Sequence, residues 1–116
     1  MVRYLPPEII QSNINYIVMK ILRITVKAKP EKELELKQAL KSAIDKTSKF
    51  EGVKNCCCKS VFEENIFHIE QEWENSDSLQ FYLSSKEFQY LTGAITVLGQ
   101  LIEQKIINTA SIEDIK

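Results

Sequence analysis

Phe67-His68-Ile69-Glu70-Gln71-Glu72-Trp73-Glu74-Asn75-Ser76-Asp77-Ser78-Leu79-Gln80-Phe81-Tyr82-Leu83 changes its periodicity partway along. From Phe67 to Trp73 the residues alternate, so Phe67, Ile69, Gln71 and Trp73 share one strand face and His68, Glu70 and Glu72 share the other. From Ser76 the spacing turns helical. Ser76 reads as the helix cap, and Leu79, Phe81, Tyr82 and Leu83 can fold back over the tryptophan face. A strand that passes into a helix at the chain's single tryptophan predicts an aromatic pocket at the junction.

Upstream, Ile21 to Lys29 alternates as well, with Leu22, Ile24, Val26 and Ala28 inward and Arg23, Thr25 and Lys27 outward. Pro30 suits a first helical turn, and Leu36, Leu40, Ala43, Ile44 and Thr47 recur at helical spacing among lysines and glutamates. Phe50-Glu51-Gly52 ends that helix. Val53 to Phe62 then reads as a second strand, joined through a Glu63-Glu64-Asn65 turn to Ile66–Trp73 as a hairpin. Downstream, Ser84-Ser85-Lys86-Glu87 has capping-box spacing, so another helix starts just before Phe88 and carries Phe88, Leu91, Ile95 and Leu98 to Gly99. Leu101 to Asn108 reads as the last strand, and Ala110 to Lys116 as a polar tail.

The order strand, helix, strand, strand, helix, strand predicts an α+β fold, a ferredoxin-like βαββαβ sandwich with its helices on one face of an antiparallel sheet. If the strands lie in the order fourth, first, third, second, the open face sets Arg23, Thr25 and Lys27 beside His68, Glu70 and Glu72 as a ladder of opposite charges. Two such sheets packed face to face form a dimeric α+β barrel. Arg23, Lys27, His68, Glu70 and Glu72 are then interface or barrel-interior residues of a homodimer.

The chain has 116 residues, 44% hydrophobic and 27% charged, which suits one domain. Residues 1–18, punctuated by Pro6-Pro7, read as an N-terminal extension or arm, and 19–116 as the single domain. Fifteen basic against sixteen acidic side chains give a net charge of -1 and no basic stripe, which argues against nucleic acid. Tyr16-Ile17-Val18-Met19, the longest apolar run near the start, is far below the roughly 20 residues that cross a bilayer, so no membrane association and a cytoplasmic location are expected. Cys56-Cys57-Cys58 has neither disulfide-framework nor zinc spacing. The three read as small strand residues, with a redox role as the alternative. One histidine and no aligned cysteine pair leave no metal site to predict.

Phe50-Glu51-Gly52, then Glu72-Trp73-Glu74-Asn75-Ser76-Asp77-Ser78-Leu79, then Leu83-Ser84-Ser85-Lys86-Glu87-Phe88 resemble the antibiotic biosynthesis monooxygenase family over about residues 20–109. The resemblance implies small dimeric α+β barrels, among them oxygenases that need no cofactor because a deprotonated phenol or quinol is itself electron-rich enough to reduce O2. It implies a small aromatic or quinol-like ligand as partner, Trp73 bordering the cavity and Phe88 anchoring the next helix. Many relatives carry histidine where this chain has Tyr82 and Glu87, so a proton relay through imidazoles is unavailable here. The heme-degrading branch implies an asparagine and a histidine where Leu22 and Thr92 stand, which argues against that branch.

The expected pocket lining is Leu22, Ile24, Ile69, Trp73, Phe81 and Phe88. Gln71 and Tyr82 are the candidate catalytic groups: an amide that both donates and accepts, and a phenol suited to donating to an oxyanion. Each has a plainer reading, as a satisfied core amide and a packed aromatic. His68 faces away from the pocket and reads as structural, with a general base or interface switch as the alternative. The function expected is a cofactor-independent monooxygenase acting on a small phenolic, quinol or enolisable substrate. The alternative is a ligand-binding or sensory dimer of the same fold.

Overall fold

The computed structural model describes residues 16–60 and 65–112. β1 (Tyr16–Ala28) is followed by α1 (Glu33–Thr47), the hairpin β2 (Val53–Ser60) and β3 (Ile66–Trp73), the helices α2 (Ser76–Leu83) and α3 (Lys86–Leu98), and β4 (Gly99–Ile112). The four strands form one antiparallel sheet in the order β2-β3-β1-β4, the order expected from the sequence. Alternation along β1 buries Leu22, Ile24, Val26 and Ala28 beneath the helices, and β3 adds Phe67, Ile69, Gln71 and Trp73. α1 closes over them with Leu36, Leu40, Ala43 and Thr47, α2 with Leu79 and Tyr82, and α3 with Leu91 and Ile95.

Element ends depart from the sequence reading in ways local chemistry explains. Pro30 precedes α1 in a turn rather than occupying its first turn, and Glu31 there takes a positive φ of 64°. Asn75, not Ser76, caps α2: its side chain accepts from the Ser78 N–H at 2.9 Å. Ser85, not Ser84, caps α3, and its hydroxyl accepts from Phe88 N–H at 3.2 Å; Phe88 then holds the position a capping box gives to Glu or Gln, so the expected box with Glu87 does not form. β4 runs past Asn108 to Ile112, and Tyr16–Val18, expected in the extension, continue β1. Residues 1–15, Val61 to Glu64 of the hairpin, and the tail from 113 lie outside the described residues.

The open face keeps less of the charge ladder than expected. Arg23 lies opposite Glu70, and its Nε donates to Glu70 Oε2 at 3.0 Å; Thr25 lies opposite His68, with Oγ1 and Nδ1 2.9 Å apart. Glu72 faces Ile21 and Lys27 faces Ile66, because the antiparallel register runs the two charge series past each other.

Candidate functional site

Around Trp73 the interior is filled. The indole is wholly buried, stacked on Tyr82 with centroids 4.8 Å apart, and met edge-on by Phe50 at 6.2 Å. Phe50 and Phe88 also meet Tyr82 edge-on, at 5.1 and 5.3 Å. Such aromatic pairs add about 0.5–1.5 kcal/mol beyond burial. None of the five cavities described is lined by Trp73, Gln71 or Tyr82. Leu22, Ile24 and Ile69, expected to line a pocket, are likewise buried core.

A buried polar chain threads this packing. Trp73 Nε1 donates to Gln71 Oε1 at 3.1 Å, Gln71 Nε2 donates to Tyr82 Oη at 3.1 Å, and Thr47 Oγ1 lies 3.0 Å from the same phenolic oxygen. Hydroxyl protons rotate, so Thr47 and Tyr82 can exchange donor and acceptor roles. Burial pushes the Tyr82 phenol above its ordinary value, while the bonds to Thr47 and Gln71 pull it down less strongly. Tyr82 therefore stays protonated at neutral pH. Thr47 is the partner that sequence reasoning missed; its place on the α1 stripe showed burial and not what its hydroxyl would meet.

Phe81 is the expected lining residue that points elsewhere. Leu79 and Tyr82, three apart, take the inner stripe of α2, which turns Phe81 outward to 74% exposure. It stands over Phe50 with ring centroids 6.2 Å apart. Together they wall an open cleft of about 430 Å³ whose other sides are Lys46, Lys49, Glu51 and Glu87. Phe50 thus touches Trp73 and Tyr82 on one side and solvent-accessible space on the other. Lys46 Nζ also lies 4.5 Å from the Tyr90 ring centroid, a cation–π contact.

The cysteines alternate as a strand requires. Cys56 lies beside Gln71 and Cys58 beside Ile69 on the helix side, while Cys57 pairs with Glu70 on the other. Burial, helped by the neighbouring thiols, pushes Cys56 up to about 12 and Cys58 up to about 11. Both are thiols rather than thiolates at neutral pH. Among the described residues no three His, Cys, Asp or Glu side chains are grouped to hold a metal, and no helix is long and apolar enough to cross a membrane.

A strand-end tryptophan stacked on the next helix, a Phe-Glu-Gly turn before the hairpin and a serine-capped helix at Phe88 are the features on which the sequence resemblance rests. The sequence pattern of the family described as antibiotic biosynthesis monooxygenase matches residues 19–91. The chain belongs to that family. Solved structures share the fold of this family member. A Bacteroides thetaiotaomicron protein of unknown function, described as a possible oxidoreductase, superposes with a TM-score of 0.72 at 19% identity, over 84% of this chain and 99% of that one. A proposed antibiotic biosynthesis monooxygenase from Deinococcus radiodurans gives 0.69 at 20% identity, over 84% and 96%. A conserved Methanosarcina mazei protein gives 0.67 at 24% identity, over 79% and 90%. No curated protein matches the chain.

Proposed function

We propose that this family member is a cofactor-independent monooxygenase that takes a small phenolic, quinol or enolisable substrate in the cleft between Phe50 and Phe81. The observation that carries the reading is the pairing of that two-aromatic slot with both a carboxylate acceptor, Glu87, and ammonium groups, Lys46 and Lys49. The rings hold a flat substrate, Glu87 receives the phenolic proton, and a lysine stabilises the resulting anion. The phenolate passes an electron to O2, the radical pair joins at a ring carbon, and the hydroperoxide loses water to leave a quinone. One oxygen atom stays on the ring and the other departs in water, with all electrons drawn from the substrate. Packing of Phe50 on Trp73 and Tyr82 keeps the floor dry.

Oxygen uptake with a quinol panel tests this. Glu87→Gln should lower kcat/KM by about 10²-fold, as loss of a general base does, with the fold intact. A second reading, a ligand-binding or sensory dimer, is favoured by one observation: Gln71 and Tyr82 are bonded to each other and to Thr47 and Trp73, and neither lines the cleft. Quinols that bind but consume oxygen no faster than the uncatalysed control would establish it.

A further inference from the structure

Away from the Phe50 cleft, α1 stands off the β2–β3 hairpin and leaves a cavity of about 240 Å³ lined by Lys37, Lys41, Ile44, Cys58, Ser60 and Phe67. We infer that this cavity is a second ligand site, independent of the proposed oxygenase cleft, for a compact organic anion: a carboxylate carried on a small apolar body.

The lining is divided by chemistry. Ile44, Cys58 and Phe67 offer apolar surface, and burial keeps the Cys58 thiol protonated, so this wall brings no negative charge. Lys37 and Lys41 are four apart on α1, which places both on one side of the helix at the cavity rim. Among the described residues no acidic side chain lines the cavity, whereas the Phe50 cleft has two. Among the described residues neither lysine forms an ion pair. Like charges at this spacing repel, and an anion between them removes that repulsion. Ser60, at the end of β2, adds a hydroxyl able to donate to the same head group. The volume falls below the ~300–1,000 Å³ typical of drug-sized ligands, which selects a single ring or a short chain.

The test uses the full chain and 4-phenylbutyrate as probe, followed by amide chemical shifts and calorimetry, with the neutral 4-phenylbutanamide as control. Expected are shifts at Lys37 to Ile44, Cys58, Ser60 and Phe67, and binding that weakens as salt is raised. Affinity should fall about tenfold or more for the neutral amide and for the double variant Lys37→Gln/Lys41→Gln, whose exposed positions leave the fold intact. Ser60→Phe, filling the cavity from an exposed position, should abolish binding with an unchanged circular dichroism spectrum. Equal affinity for acid and amide, an unaffected double variant, shifts confined to Phe50 and Phe81, or no binding at about 10 mM would overturn the inference. Oxygen uptake should be the same in both variants as in the unaltered chain, so failure here is distinguishable from failure of the proposed oxygenase activity.

Discussion

Tyr82 Oη sits where Gln71 and Thr47 converge, so removing one oxygen atom unsettles two buried polar groups. Tyr82→Phe should cost about 1–3 kcal/mol, because the Gln71 amide and the Thr47 hydroxyl lose their partner inside an apolar core. Urea unfolding measures it, and a change within about 0.5 kcal/mol would mean that water restores the bonds. Trp73→Phe should also destabilise in the same urea titration, because the smaller ring leaves a void in the core and Gln71 Oε1 loses the indole N–H. The raised thiols give a second expectation. Cys56 moves from 9.0 to about 12 on folding, so above about pH 9 the unfolded chain releases a proton that the folded chain retains. Stability is then full below that pH and declines as pH rises toward 12, with Tyr82 acting in the same sense. Cys56→Ala should flatten this alkaline limb in pH-dependent thermal melts; an unchanged limb would show that the thiol titrates as freely in the fold as outside it.

Among the elements, the turn from α1 into β2 is held against the β3–α2 junction. Gly52 has φ of 89°, its carbonyl accepts from Glu74 N–H at 2.7 Å, and a Cβ there would overlap the Ser78 side chain on α2. Gly52→Ala should therefore cost at least the ~1–2 kcal/mol of a left-handed backbone, plus displacement of α2. Because Phe50 rides on the same turn, the variant should also weaken ligand binding at the cleft, which a quinol titration would register. The strand and helix order could be read in advance because period-two and helical patterns are local. Both caps were misplaced by one residue because Asn75-Ser76 and Ser84-Ser85 each offer two competent side chains in succession, and only the backbone decides between them. The cleft was not legible: Lys46, Lys49 and Glu51 meet Phe81 and Glu87 through the α1–β2 turn, a long-range closure that no spacing encodes.

Across the whole molecule, the helices leave one sheet face open, with Arg23–Glu70 at its centre. That pair is 37% exposed on both sides in the single chain, where such an ion pair contributes about 0–1 kcal/mol. If two chains meet on this face, as the barrel expectation holds, sedimentation should return about twice the 13.4 kDa chain mass. Arg23→Ala should then weaken the dimer by more than it weakens the fold, since it strands Glu70 in a drier place. A monomeric mass at micromolar concentration would leave the open face without that role.

β1 is an inner strand of the sheet, yet one of its two neighbours arrives last: Ala28 pairs with Gly99, and Tyr16 with Ile112. During synthesis at about 5–20 residues per second, the roughly 70 residues between Ala28 and Gly99 take on the order of 4–14 s to emerge. Over that interval one margin of β1 has unmet amide and carbonyl groups, a template for any other nascent strand. Released chains ending before Gly99 should accordingly recruit chaperones, and those that include β4 through Ile112 should not.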